Sequence, residues 1–245
     1  MAATTKTAIV TGASRGIGAA IAERLARDGF NVVINYSSDP APAEALARKI
    51  TESGGKAIAI KADVSDSAAV RTLFDQTQSA FGSIDVLVNN AGIMLLSTIA
   101  ETNDATVSRT LDVNLKGTFN TLREASTRLA HGGRIINFSS SVVGLLQPTY
   151  GIYAATKAAV EALTSVLAKE LRGKQITVNV VAPGPTATDL FLKGKPQELV
   201  DRLAKAAPLE RLGQPVDIAS VVAFLAGPDG AWVNGQTLRA NGGII

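Results

Sequence analysis

The chain predicts an α/β fold, a parallel β-sheet with helices on both faces. Three observations predict it. Short apolar runs alternate with longer helical patterns from one end of the chain to the other. The runs AIV, VVI, VLV, RII and VNVV are continuous rather than alternating, as strands covered on both faces require. A glycine-rich turn, Thr11–Gly18, joins the first run to the first helical pattern.

In order, the strands read as Thr7–Val10, Asn31–Tyr36, Lys56–Ala62, Val86–Asn89, Arg134–Phe138, Ile176–Val181 and Gln236–Ala240. The helical patterns between them are Ile17–Arg27, Ala43–Thr51, Ala68–Phe81, Ala105–Leu129, Tyr153–Arg172 and Val216–Leu225, with apolar residues recurring at helical spacing. Asp28-Gly29, Ser53-Gly54-Gly55 and Gly132-Gly133 punctuate them as turns. The segment Thr186–Pro208, rich in Lys, Gly and Pro, reads as an insertion and a lid over the substrate. No linker, repeat or low-complexity stretch divides the chain, so residues 1–245 form one domain.

Composition removes whole classes of function. There is no cysteine, which excludes disulfides, a thiol nucleophile and thiolate-held metals, and a single histidine excludes a multi-histidine metal site. No metal is therefore expected. The net charge is only +3, with Lys and Arg scattered rather than gathered on one stretch, which argues against nucleic acid. Although 46% of residues are hydrophobic, no run approaches the ~18 apolar residues of a membrane span. Met1–Lys6 lacks the apolar core of a signal peptide, so a cytoplasmic location is expected.

The turn Thr11-Gly12-Ala13-Ser14-Arg15-Gly16-Ile17-Gly18 carries the first chemistry. Glycines permit a sharp turn and close approach of the backbone to a phosphate, and a helix N-terminus offers N–H groups to a pyrophosphate. Glycines also mark ordinary tight turns, but the place between strand one and helix one favours the phosphate reading. The spacing is Gly-x3-Gly-x-Gly rather than GxGxxG. At the end of the second strand, where an acid would read a ribose 2′-hydroxyl, the sequence is Ile34-Asn35-Tyr36-Ser37-Ser38, with no carboxylate before Asp39. That absence, with Arg15 in the loop, favours NADP(H) over NAD(H).

Tyr153 and Lys157 stand one helical turn apart on one face. A phenol near its ordinary pKa of about 10 is a poor proton carrier at neutral pH. A cation beside it lowers that pKa and brings it toward useful acid–base work. Alone the spacing is commonplace; its company matters.

That company is TGASRGIG at Thr11–Gly18, ADV at Ala62–Val64, NNAG at Asn89–Gly92, VN at Val113–Asn114, INFSS at Ile136–Ser140, YAATK at Tyr153–Lys157, VAPG at Val181–Gly184 and NGG at Asn241–Gly243. In these motifs, and in their order, the chain resembles the short-chain dehydrogenase/reductases over its whole length. The resemblance is closest to carbonyl reductases like 3-oxoacyl-(acyl-carrier-protein) reductase. It implies a Rossmann-type, doubly wound sheet of seven strands in the order 3-2-1-4-5-6-7, and a homotetramer. It also implies Tyr153 as acid/base, Lys157 as its partner and ribose ligand, and Asn114 as keeper of a water-linked proton path. Among Ser139, Ser140 and Ser141, the start of the fifth strand and the family's interval of thirteen residues to the tyrosine select Ser140 as the catalytic serine. Ser141 precedes Val142-Val143-Gly144, where some relatives place theirs.

For the cofactor, the resemblance assigns Gly12, Ser14, Arg15, Gly16, Ile17 and Gly18 to the phosphates. Asn35, Tyr36 and Ser37 lie at the 2′-phosphate end. Asp63 and Val64 flank adenine, and Asn90, Ala91 and Gly92 contact the adenosine ribose. Pro183, Gly184, Thr186 and Thr188 hold the carboxamide. The expected activity is NADPH-dependent reduction of a ketone or aldehyde, broad or directed to hydrophobic ketones.

Relatives that use an acyl-carrier protein carry cations before strands five and six. Here His131 stands at the first place, while Arg172 and Lys174 remain at the second, which weakens that partnership. Ile93, Met94, Leu95, Leu96, Leu145 and Leu146 read as an apolar substrate wall or as ordinary core. His131 itself reads as an exposed helix-end residue. Trp232 and Phe224 read as packing or subunit-contact residues. A non-catalytic NADP(H)-binding sensor is the reading from another class, disfavoured by the complete Asn114, Ser140, Tyr153 and Lys157 set. A sugar-nucleotide epimerase or dehydratase shares the Tyr-Lys pair but needs a larger C-terminal domain.

Overall fold

The computed structural model describes residues 5–245. Most of the leader reading at Met1–Lys6, namely Met1–Thr4, lies outside them. Seven parallel strands, β1 Thr7–Val10, β2 Asn31–Tyr36, β3 Lys56–Lys61, β4 Val86–Asn89, β5 Arg134–Phe138, β6 Thr177–Pro183 and β7 Thr237–Ala240, form one sheet in the order β3-β2-β1-β4-β5-β6-β7. The order reverses between β1 and β4, which opens a crevice at the carboxyl ends of these strands. Strands β1, β4, β5 and β6 are buried along their whole length, whereas β3 and β7, at the edges, are partly exposed. The continuous apolar runs mark these four and β2, the five strands inside the edges, for this reason.

Successive side chains of a strand point to opposite faces, so the sheet divides the core in two. Ala8 and Val10 pack on one face with Ile34, Val88, Ile136 and residues of the helices α1 (Gly16–Arg27), α2 (Ala41–Glu52) and α10 (Pro215–Ala226). Ile9 points the other way, to Leu87, Ile135, Phe74 of α3 (Ser67–Phe81) and Leu122 of α5 (Gly117–Arg128). Both faces are closed by helices, as a parallel sheet demands.

The predicted helix Ala105–Leu129 is three pieces: α4 (Asp104–Thr110), a π-helical turn Leu111–Lys116, and α5. The axis is continuous, so apolar periodicity does not reveal the extra residue. α7 (Gly151–Glu170) begins two residues before the predicted start. Two helices lie in the segment read as a lid, α8 (Asp189–Leu192) and α9 (Gln197–Ala206), and α6 (Val142–Leu145) follows β5. Pro196 at the N-cap starts α9, and its apolar residues Leu199, Val200 and Leu203 recur at helical spacing that the flanking Lys, Gly and Pro obscured.

Beneath the crevice, four buried polar side chains tie the layers together. Thr121 of α5 donates to Asn89 Oδ1 at 2.7 Å, Asn89 donates to Asn137 at 2.8 Å, and Asn137 donates to Thr164 of α7 at 2.8 Å. Each is at most 4% exposed, so an unmade bond here would carry the full desolvation cost. The chain sets β4 against β5 and fixes α5 and α7 above them. No described helix is long and apolar enough to cross a membrane.

Candidate active site

At the carboxyl ends of the strands lies a cleft with about 950 Å³ of empty volume, open to solvent. The glycine turn forms one end. Gly12 and Gly16 have left-handed backbones, at φ +60° and +58°. A Cβ on Gly12 would stand 2.9 Å from Ala91 Cα, and one on Gly18 would stand 2.5 Å from Asn90 Nδ2. Asn90 explains the tightness: its amide donates to the carbonyls of Thr11 and Gly12 at 2.9 and 3.0 Å, while Ala91 N–H donates to Thr11 Oγ1 at 3.0 Å. No side chain caps α1, whose N-cap is Arg15, so its first turn is left to face the crevice. These residues fit a pyrophosphate.

Other residues assigned to the cofactor fall into two groups. Ile17, Asn90, Gly92, Pro183, Gly184, Thr186 and Thr188 line the cleft. The Thr188 methyl would lie 3.5 Å from a Cβ on Gly16, so the start of the lid stands over the glycine turn. Arg15 and Ser37 are exposed, with Ser14 and Tyr36 half-buried near them, and Arg15 makes no ion pair among the described residues. Asp39 does not fold back toward the ribose: its carboxylate accepts from Ala41 N–H at 3.0 Å and starts α2.

Asn35 departs from its expected role. It is 1% exposed, its amide donates to Ala62 O at 3.0 Å, and its Oδ1 accepts from Gly12 N–H at 3.3 Å. It braces the glycine turn from behind rather than facing a ligand. Val64 is likewise buried, packed against Gly117, with its carbonyl held by Asn120 at 2.9 Å. Asp63 is half-buried; burial pushes its carboxyl up, but hydrogen bonds from Ser65 and the nearby Arg109 together hold it below the ordinary value.

The middle of the cleft holds the acid–base groups. The three serines after β5 separate by their partners. Ser139 is buried and donates to Glu161 at 2.6 Å, and Ser141 is buried and accepts from Asn241 at 3.1 Å. Ser140 is half-buried and lies beside the Tyr153 phenol. Lys157 is 5% exposed, donates to Phe138 O at 2.9 Å and stands 5.7 Å from the centre of the Tyr153 ring. Burial pulls its ammonium down to about 8. Burial also pushes the Tyr153 phenol up to about 12, with Ser140 opposing and the nearby Tyr150 adding to the rise. Desolvation is the largest influence on this phenol, while the Lys157 ammonium is held by a backbone carbonyl.

Asn114 sits in the π-helical turn, 1% exposed. Its side chain accepts from Ile93 N–H at 2.8 Å and donates to Ile93 O at 2.9 Å and Thr156 Oγ1 at 3.3 Å. It thereby pins the strand-four loop to α7, and a Cβ on Gly92 would lie 3.3 Å from its Oδ1 and 3.6 Å from Lys157 Nζ. π-helical turns concentrate at functional sites, since the extra residue redirects one side chain.

Of the apolar wall, only Met94 and Leu145 line the cleft. Leu146 is 73% exposed, Leu95 and Leu96 are exposed, and Ile93 packs against the core. The remaining wall comes from Leu190, Phe191 and Leu203 of the segment read as a lid, and from Tyr150 and Ile244, which the sequence did not single out. Ile244 belongs to a C-terminal tail that folds back over its own site through Asn241. Trp232 is 98% exposed, which removes the packing role within the chain, and His131 lies in an exposed turn. No cluster of metal-binding side chains exists among the described residues.

Comparison with known proteins gives this geometry its relatives. The family described as enoyl-(acyl carrier protein) reductase matches residues 12–245. The chain is 46% identical to a chloroplastic NADPH-dependent aldehyde reductase-like protein of Arabidopsis thaliana, over 98% of this chain and 94% of that one. It is 42% identical to a 3-oxoacyl-(acyl-carrier-protein) reductase of Staphylococcus aureus, over 98% of each. A short-chain dehydrogenase from Burkholderia cenocepacia J2315, solved in complex with NADP, superposes with a TM-score of 0.93 at 39% identity, over 98% of this chain and 97% of that one. The sheet order, the glycine turn and these matches agree: the chain belongs to the short-chain dehydrogenase/reductase family of oxidoreductases.

Proposed function

We propose that the protein is an NADPH-dependent carbonyl reductase, converting aldehydes and ketones reversibly to alcohols, with broad or hydrophobic-ketone specificity. The observation that carries this reading is the gathering of Ser140, Tyr153 and Lys157 in one cleft whose other walls are largely apolar, among them Met94, Leu145, Leu190 and Phe191. When bound, NADPH supplies the hydride that the carbonyl carbon accepts. The glycine turn and the start of α1 would hold its pyrophosphate, Arg15 and Ser37 its 2′-phosphate, and Lys157 its nicotinamide ribose. The aldehyde reductase-like relative is named for NADPH, and the Burkholderia structure contains NADP.

Ser140 and Tyr153 donate hydrogen bonds to the substrate's carbonyl oxygen. As negative charge develops there, Tyr153 gives up its proton. A phenol held at about 12 stays protonated at every physiological pH, and the negative charge developing on the carbonyl oxygen is what draws its proton off. Lys157, held near 8, returns the proton more readily than an exposed lysine would. Asn114 keeps the loop beside Lys157 in place and leaves its own backbone carbonyl bonded to Thr118 at 2.9 Å.

The alternative substrate, a 3-oxoacyl group on a carrier protein, has support in the Staphylococcus relative. It needs free cations to meet an acidic partner. Arg128, before β5, is already paired with Asp75 at 2.6 Å and Glu124 at 3.2 Å, and Lys174 donates to Ser126 O at 2.8 Å. Arg172 is exposed and makes no ion pair among the described residues, so the case for small carbonyl compounds rests on His131 and the paired Arg128 before β5. The cytoplasm is the proposed location.

Tyr153→Phe should lower turnover of any carbonyl substrate at least ~10²-fold, the scale of a lost general acid, with NADPH affinity within about threefold of wild type by fluorescence titration. Full retained turnover would contradict the assignment. Lys157 gives a signed pH dependence: its folded pKa is below its unfolded value, so the unfolded chain binds more protons between about 8 and 10.5. Stability should therefore rise across that window from Lys157 alone while reduction slows above pH about 8, and Lys157→Met should remove the stability rise and most activity. Melting curves of both proteins at pH 7 to 9.5 with identical slopes would refute it. The exposed apolar side chains of Trp232, Phe224, Phe119 and Val166 support a homotetramer. Light scattering should give four times the protomer mass, and a monomer at micromolar concentration would exclude it.

A further inference from the structure

Tyr150 lines the cleft beside Tyr153, yet it belongs to none of the motifs that carry the family resemblance. The two rings meet edge to face, with centroids 6.4 Å apart and planes at 61°. Tyr150 is the N-cap residue of α7, and its carbonyl accepts the helix's bond from Ala154 N–H at 2.8 Å. Its hydroxyl is a donor with no hydrogen-bond partner among the described residues, and it is not sealed from the cleft. Burial of the ring pushes the phenol above its ordinary pKa, so it remains a neutral donor.

The segment before it is built to hold this ring still. Leu146 and Thr149 both have left-handed backbones, at φ +47° and +73°. For a β-branched residue such as Thr149 that conformation is strained, and it persists only where the surroundings fix it. Here Pro148, just before Thr149, has its own φ fixed by its ring, and Thr149 O accepts from Ser97 N–H at 3.1 Å, which ties the segment to the loop after β4. Gln147, whose side chain also borders the cleft, adds a second polar group on the same wall. A strained segment that holds a donor open to a reaction cleft, with no protein acceptor for it, fits a ligand contact better than packing.

We propose that Tyr150 is a substrate-binding residue that donates a hydrogen bond to a second oxygen of the substrate, so that the enzyme favours carbonyl compounds bearing another oxygen function close to the reacting centre. This rests on the carbonyl reductase reading and narrows its substrate class. With the reacting oxygen at Ser140 and Tyr153, the second oxygen lies against Tyr150, and the alkyl ends lie against Met94, Leu145 and Phe191. Tyr150 takes no part in proton transfer. Its contribution is discrimination: a site that offers a donor binds the analogue without an acceptor less well.

The test is kcat/KM of wild type, Tyr150→Phe and Tyr150→Gln for 2-pentanone, 2,3-pentanedione and 2,4-pentanedione, which share one carbon skeleton. The Phe variant should lose about tenfold on the two diones, the size of one neutral hydrogen bond, and under about threefold on 2-pentanone. The Gln variant, which keeps a donor, should recover part of the preference. Equal losses on all three substrates, or no loss, overturn the assignment of Tyr150 while leaving the carbonyl reductase reading intact. Wild type that binds NADPH but turns over none of the three overturns both.

Discussion

Lys157 donates its ammonium proton to the carbonyl of Phe138 across 2.9 Å, inside a site where almost none of the side chain meets water. That bond joins α7, which bears the phenol, to the end of β5, which bears the serine. Burying a cation against one carbonyl is unfavourable for folding, as the fall of its pKa to about 8 records. The same desolvation pushes Tyr153 up to about 12 and keeps it protonated. The site thus holds a neutral acid beside a weakened cation, and both properties come from exclusion of water rather than from their mutual attraction.

The rest of the molecule can be understood as the support for this arrangement. Asn137, next to last in β5, is hydrogen-bonded to β4 on one side and to α7 on the other. Ser139 continues the attachment through Glu161, one turn along α7 from Lys157. Asn114 approaches from the opposite side and fixes the loop after β4 in the same register. The polar atoms buried at these positions each have a hydrogen-bond partner, and this is what gives such networks their rigidity.

Much of this was legible in the sequence, and the boundary of legibility has physical causes. Strands β1, β2, β4 and β5 fall where the apolar runs place them, because a strand buried on both faces has no other way to read. The glycine turn was legible because close approach to Ala91 and Asn90 admits no Cβ. The π-helical turn was not, since one extra residue in a helix leaves the apolar stripe nearly unchanged. The role of Asn35 was misjudged for a different reason: position at a strand end does not say whether a side chain faces the ligand or the sheet. Leu146 and Leu95 looked like wall residues by composition, but Leu146 adopts a left-handed backbone and turns outward. Tyr150 and Ile244 reach the cleft through a strained loop and a returning tail, neither of which leaves a periodic signal.

Burial, more than the neighbouring ammonium, sets the protonation of Tyr153. The chain has only three tyrosines, so an ultraviolet difference titration of wild type against Tyr153→Phe isolates one phenol. The phenol should ionise well above 10, toward about 12, as the last of the three. Ionisation at or below 10 would mean that the field of Lys157 outweighs desolvation and would contradict the claim.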